Sequence, residues 1–228
     1  MNDFHSVSFP GESADYRAAR NALLAEEIEL RTRMEALAKK RRELPSGGRV
    51  PEDYLFEAAS NIDGRQVGEA VRLSDCFKDG KDTLAVYTLM YGPNAENACP
   101  MCASFLDGLN GEMRHLLDRI NMVVVAKSSA SRIADLAKDR NWGKLVLLSS
   151  SGNSFNQDYH SESPDGHQWP IMHIFKKTGA GIIHRYSTEL FYYASNWPND
   201  PRHIDNMWGL WNVMDLTPEG RGTAYPSL

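Results

Sequence analysis

Three features of the sequence predict an α/β fold with a central sheet flanked by helices. Apolar runs of strand length alternate with amphipathic runs of helix length between residues 83 and 148. A hairpin pattern follows, with residues 171–175 and 182–186 flanking Lys176-Lys177-Thr178-Gly179. Between the first strand and the first of these helices stands Cys99-Pro100-Met101-Cys102. Such alternation requires a sheet with helices packed on its faces.

The 228 residues have room for one sizeable domain with an appendage. The reading is an N-terminal helical arm at 1–48 and an α/β domain at 49–228 that ends in an aromatic extension. A net charge of −5 gives no general attraction to nucleic acid. No apolar run is long enough to span a bilayer as a helix. Met1-Asn2-Asp3-Phe4-His5-Ser6-Val7 lacks a basic start followed by an apolar core, so no secretion signal is expected. Three cysteines, with one close pair, do not form a disulfide framework. The expected compartment is the cytoplasm, where a reactive pair is catalytic more often than structural.

Residues 12–44 read as one long helix with Ser13 as N-cap and Pro45-Ser46-Gly47-Gly48 as its end. Leu23, Leu30, Leu37 and Leu44 recur every seven residues, which suggests a homodimer through this helix. Glu27 and Arg41 interrupt the seam, and packing back on the domain is the other reading. Lys39-Lys40-Arg41-Arg42 reads as a solvated last turn whose cations complement the helix dipole. Short elements follow at Tyr54-Leu55-Phe56 and at residues 71–77, with a turn at Asn61-Ile62-Asp63-Gly64 between them. Cys76 reads as buried filler, a resolving thiol being the alternative.

Residues 83–91 form a buried strand by length and composition. Phe105, Leu106, Leu109, Met113, Leu116, Leu117 and Ile120 then follow at helical spacing. Gly108 and Asn110-Gly111 predict a kink or two short helices there. Residues 122–126 are a strand, 131–141 a helix and 145–148 a strand. A long polar loop at 149–166 precedes the hairpin, and a closing helix is expected near 205–214.

A strand feeding a helix places Cys99 at the helix N-terminus, where unpaired N–H groups and the dipole favour a thiolate. Pro100 suits the first turn, since its missing N–H has no partner there. Cys102 is near enough to attack a mixed disulfide formed at Cys99. This chemistry proceeds on sulfur alone and needs no cofactor. Zinc is the alternative use of such a pair, but a structural site takes four ligands. No second pair exists, and His115, His160, His167, His173 and His184 show no ligand spacing, so no metal is assigned. Pro170 opens a strand, where a proline marks an edge or an X–Pro bond that can be cis.

The succession of strand, Cys-Pro-Met-Cys, helix, strand, helix and Pro170-Ile171-Met172-His173-Ile174-Phe175 resembles the thioredoxin superfamily. In that superfamily a cis-proline before the strand faces the CxxC and holds substrate backbone, which by position implies Pro170. Trp169, attached to it, is then expected beside the thiols. The lead-in at residues 71–75 and the extra segment at 145–149 resemble the peroxiredoxin-related branch. More specifically, the chain resembles the bacterial family called domain of unknown function 899, whose members are labelled predicted dithiol–disulfide oxidoreductases. The residues shared are the charged N-terminal helix, Tyr91-Gly92-Pro93 and Ser154-Phe155-Asn156-Gln157-Asp158-Tyr159. The ending Trp208-Gly209-Leu210-Trp211-Asn212 with Asp215-Leu216-Thr217-Pro218-Glu219-Gly220-Arg221-Gly222 completes the match.

Ala98 stands where thioredoxins place Trp, Pro-Met replaces their Gly-Pro spacer, and no acid lies inside the 83–91 strand. Glu96 reads as a solvated loop acid. The peroxiredoxin Pro-x-x-x-Thr-x-x-Cys pattern is broken, since Pro93 is one residue too close to Cys99 and no Thr lies between.

The expected function is therefore a thiol–disulfide oxidoreductase with Cys99 as nucleophile and Cys102 as resolving thiol. Its expected partner is a protein or small-molecule thiol or disulfide, with neither nucleic acid nor membrane involved. A non-catalytic thioredoxin-fold binding protein is the alternative, and a thiol peroxidase a lesser one. Phe191, Tyr192, Tyr193, Trp197, Trp208 and Trp211 read first as structural cover, and second as a groove over the thiols.

Overall fold

The structure, a computed structural model, describes residues 7–62, 64–192, 206–221 and 226. It divides into two compact units, Met1–Pro45 and Ser46–Leu228. The expectations placed on Tyr193, Trp197, Asp205 and Gly222 lie outside the described residues.

In the first unit, helix α1 (Ala14–Arg42) is 29 residues long. Ser13 caps it in an extended conformation, its hydroxyl accepting from the Tyr16 N–H at 3.1 Å. Lys39, Lys40, Arg41 and Arg42 occupy the last turn, against the negative end of the dipole. No α1 residue is buried, and Leu23, Leu30 and Leu37 are all exposed.

The second unit is built on a seven-stranded sheet. Its strands are β1 (Leu55–Ala58), β2 (Ala70–Arg72), β3 (Thr83–Leu89), β4 (Asn121–Ala126), β5 (Leu147–Ser149), β6 (Met172–Thr178) and β7 (Gly181–Ser187). They lie in the order β2-β1-β5-β4-β3-β6-β7. The three central strands β3, β4 and β5 are parallel, while β6 is antiparallel to β3 and β7 to β6. Helices α2 (Pro100–Leu117) and α3 (Ala130–Asp139) make the crossovers between the parallel strands. One βαβ unit beside an antiparallel hairpin, in the spatial order β7-β6-β3-β4, is the thioredoxin-like arrangement that the sequence resemblance implies.

The strand period of two sorts the core onto the two faces of the sheet. Ala85, Tyr87 and Leu89 of β3 join Met122 and Val124 of β4 in one cluster with Cys102, Phe105, Leu106 and Met113 of α2. Leu84 and Val86 join Val123 and Val125 in the other, with Tyr54, Phe56, Phe155 and Phe175. Cys76 is buried in this second cluster, at the end of a 3-10 turn over Leu73–Cys76, and burial pushes its thiol up to about 12.

Two local expectations are corrected. Helix α2 is one uninterrupted element of 18 residues. Its glycines lie on the outer side, where a Cβ would meet nothing within 4 Å, and Leu106, Leu109 and Met113 are buried on the inner side. Asn110 does not break the helix because its amide works in tertiary contact, accepting from the Lys144 N–H at 3.0 Å and donating to Asn141 O. The polar stretch after β5 is also not all loop, since Phe155–Asp158 forms the short helix α4. The closing helix is α5 (Gly209–Met214), whose Trp211 is buried, as is Trp208 just before it. Arg221 lies over the Trp211 ring at 5.3 Å and forks onto Asp215 at 2.8 and 2.7 Å. The tail motif thus ties itself down, and its Trp208 and Trp211 join the core cluster that holds Phe105 as structural cover.

Candidate active site

Strand β3 ends at Leu89, ten residues before Cys99, and that end organises the site. Cys99 is the N-cap of α2, in an extended conformation with φ −61° and ψ 122°, and Pro100 follows in the first turn. The Cys99 N–H donates to Met90 O at 3.0 Å, and its carbonyl accepts the first helical bond from Ala103 N–H at 3.0 Å. Cys99 is half-buried and Cys102 buried, with no disulfide between them. The half-buried cysteine is therefore at the helix N-terminus and the other lies one turn on in the core.

The electrostatics separate the two sulfurs further. The Cys102 thiol is held well above its ordinary range by its hydrogen bond to Cys99, by burial and by the charge of Cys99. Tyr87 and the Met90 backbone act the other way. In the dithiol state Cys102 therefore keeps its proton and shares it with Cys99.

The loop leading into Cys99 is pinned from α3. Arg132 donates to Pro93 O at 2.9 Å, to Glu96 O at 3.2 Å and to Ala95 O, and its guanidinium lies 4.7 Å over the Tyr91 ring. Gly92 lies against Gln168, whose side chain a Cβ there would touch at an ordinary contact distance of 3.4 Å. Gln168 accepts in turn from the Asn156 amide at 3.3 Å, and Asn156 Oδ1 accepts from Ser150 Oγ at 2.7 Å. The residues of the 154–159 motif thus serve as scaffold. Asn156 holds the loop that ends at Pro170, and Asp158 accepts from the Tyr54 hydroxyl at 2.7 Å. Glu96 is exposed, as a solvated loop acid should be.

Pro170 is buried at the other side of the β3 end. Every described peptide bond is trans, Trp169–Pro170 included, which corrects the cis geometry implied by the resemblance. A trans X–Pro bond is the lower-energy form, and here Thr88 of β3 holds both sides of it. The Thr88 hydroxyl donates to Trp169 O at 2.9 Å and accepts from the Ile171 N–H at 2.9 Å. Trp169 is half-buried between two rings, His167 and Phe191, each 4.5 Å away. The structure brings Cys99 and Cys102 together and places Pro170 on the same strand end. The sequence reading missed Thr88, Arg132 and Tyr87. Only Tyr87 carried a signal, as a polar-tipped residue in the middle of a strand buried on both faces.

A cavity of about 500 Å³ elsewhere on this unit is lined by Arg49, Asp158, His160, His184, Glu189 and Tyr192, among others. None of the four residues expected at the site lines it.

The family described as "Bacterial protein of unknown function (DUF899)" matches residues 6–227. No curated protein matches the chain. Among solved structures, the chain is similar to peroxidoxin BcpB from Mycobacterium tuberculosis, at 12% identity over 75% of this chain and 98% of that one, with a TM-score of 0.48. It is similar to thioredoxin peroxidase I of Plasmodium yoelii, at 18% identity over 75% and 91%, with a TM-score of 0.47. A peroxiredoxin-like protein from Aquifex aeolicus matches at 16% identity over 63% and 75%, with a TM-score of 0.44.

Proposed function

The chain belongs to the bacterial DUF899 family, and on that premise we propose that it is a dithiol–disulfide oxidoreductase acting through Cys99 and Cys102. The observation that carries this reading is the asymmetry of the pair: a half-buried cysteine at a helix N-cap, backed by a buried cysteine whose thiol Cys99 and burial hold above its ordinary range. Cys99 as thiolate attacks a substrate disulfide, forming the mixed disulfide and releasing one substrate thiolate. Cys102 then attacks Cys99 Sγ, its proton passing to the second substrate sulfur as that sulfur leaves. Two electrons have passed to the substrate and a Cys99–Cys102 disulfide remains. Run in reverse, the same steps oxidise a dithiol.

Pro170 and Trp169 are read as the surface against which the substrate lies, because Thr88 and Met90 set Pro170 and Cys99 two residues apart along one strand end. The partner is of the thiol or disulfide class, protein or small molecule. The exposed leucine line of α1 is read as a self-association surface.

The test is trapping. Incubated with oxidised glutathione, Cys102→Ser should accumulate a mixed disulfide on Cys99, located by peptide mass spectrometry. The unaltered chain should instead reach an internal Cys99–Cys102 disulfide. Absence of both products would overturn the reading, as would a Cys99→Ser/Cys102→Ser chain that keeps the biological phenotype.

A further inference from the structure

Tyr87 is a buried strand residue whose hydroxyl is acted on by the cysteine pair. It lies in the middle of β3, level with Val124 on one side and Met172 on the other, and is fully buried. Its ring packs on Phe105 at 4.9 Å, and Phe105 is three residues beyond Cys102 on the buried side of α2. A phenylalanine would fill this slot equally well. The hydroxyl is nevertheless present, and it has no partner at hydrogen-bonding geometry among the described residues. Buried tyrosine hydroxyls almost always find one. The groups that act on it are Cys102 and then Cys99, both from α2.

We propose that Tyr87 is a positioning residue for Cys102, its hydroxyl donating to the Cys102 sulfur as that sulfur becomes an anion in the resolving step. The proposal rests on the reading of Cys99 and Cys102 as the redox pair. In the resting dithiol Cys99 and burial hold the Cys102 thiol above its ordinary range, while the Tyr87 hydroxyl, which makes no hydrogen bond of ordinary geometry, acts on that sulfur in the direction that favours its anion. When Cys99 is tied up in a mixed disulfide, the charge that held the Cys102 proton is gone. As Cys102 attacks, its proton goes to the departing substrate sulfur, the Cys99–Cys102 bond forms and the Cys99–substrate bond breaks. Negative charge grows on a buried sulfur during this exchange, and a fixed donor beside it lowers the barrier. Tyr87 keeps its own proton throughout, because burial and the neighbouring sulfurs hold its phenol well above the usual range. It is therefore a donor and not a base. Among the described residues the groups that act on the two partners are Cys99, Cys102, Tyr87 and the Met90 backbone, with no carboxylate among them.

The experiment follows thionitrobenzoate release when the reduced full-length chain reacts with 5,5′-dithiobis(2-nitrobenzoate). The first equivalent reports attack by Cys99 and the second reports resolution by Cys102. Tyr87→Phe keeps the ring on Phe105 and removes only the hydroxyl. It should leave the first phase unchanged, slow the second about tenfold near neutral pH and move the second phase's pH midpoint up by about one unit, with rates converging at high pH. A second measurement does not depend on that variant folding. Replacing the tyrosines biosynthetically with 3-fluorotyrosine makes the phenol a stronger donor and should move the second-phase midpoint downward. A second phase with the same rate and midpoint in these proteins overturns the role of Tyr87. A wild-type chain that releases one equivalent and never a second overturns the redox-pair reading instead.

Discussion

The backbone N–H of Cys99 donates to the carbonyl of Met90 at 3.0 Å, which hangs the loop before Cys99 from the end of β3. Two residues earlier on that strand, Thr88 bonds Trp169 and Ile171 on either side of Pro170. A single strand end thus sets the spacing of both halves of the site, and neither half depends on a long loop for its position.

Thr88 is therefore the residue whose loss should be felt most directly there. Thr88→Val keeps the β-branched shape but leaves the Trp169 carbonyl and the Ile171 N–H without their buried partner. Unfolding free energy should fall by about 1–3 kcal/mol, and Thr88→Ser should lose much less. Urea midpoints at unchanged m-value check this, and equal midpoints for Val and the parent would sink it.

His173 gives the stability an acid limb. Its ring is fully buried on β6, with Nδ1 2.7 Å from Ser187 Oγ and Nε2 without a partner among the described residues. Ser187 also lies 2.7 Å from His184 Nε2. Burial, then the charges of His184 and His160, lower the His173 pKa to about 3. The unfolded chain takes up a proton near pH 6.5 that the folded chain refuses, so unfolding is favoured as pH falls. The contribution is complete above about pH 6.5 and is lost toward pH 3, at up to about 1.4 kcal/mol per pH unit. His173→Phe, set among Phe155, Tyr159 and Phe175, should flatten the unfolding free energy between pH 6.5 and 4. An unchanged slope would show that another group carries the limb.

The order of strands and helices was legible because each strand of this sheet is short, apolar and bounded by polar turns. The place of Cys99 at the start of α2 was legible because the strand, the Pro100 and the helix pattern around it are local. What the sequence hid depends on distant residues: Arg132 reaches the 93–96 carbonyls from another helix, and Thr88 meets Pro170 across 82 positions of chain. The same cause misled the reading of α2. Gly108 and Gly111 are weak helix formers, yet they fall on the outer side while the inner side buries Leu106, Leu109 and Met113, and tertiary packing overrides propensity.

That explanation is itself testable. If the two glycines serve no packing purpose, Gly108→Ala and Gly111→Ala should each stabilise the protein by about 0.5–1 kcal/mol. Thermal unfolding of the single and double variants would read this directly. A loss of stability at either site would mean that the helix needs its glycine, contrary to the open space around it.

Helix α1 is expected to self-associate. Within its own unit this 29-residue helix buries no residue and is supported by its Ser13 cap and by surface ion pairs such as Arg31–Glu35 and Arg33–Glu29. Its leucines at 23, 30 and 37 are 50%, 59% and 46% exposed and lie seven residues apart, so they fall on one stripe. A second copy of the same stripe would cover them. Glu27 and Arg20, ion-paired at 2.8 Å, sit within the seam and weaken it. The expected behaviour is a reversible dimer whose sedimentation coefficient rises with protein concentration. Leu30→Ser/Leu37→Ser should shift the full-length chain to monomer and lower its helical circular dichroism at high concentration. A wild-type chain that stays monomeric at every concentration, with α1 fully helical, would leave the leucine line without this role.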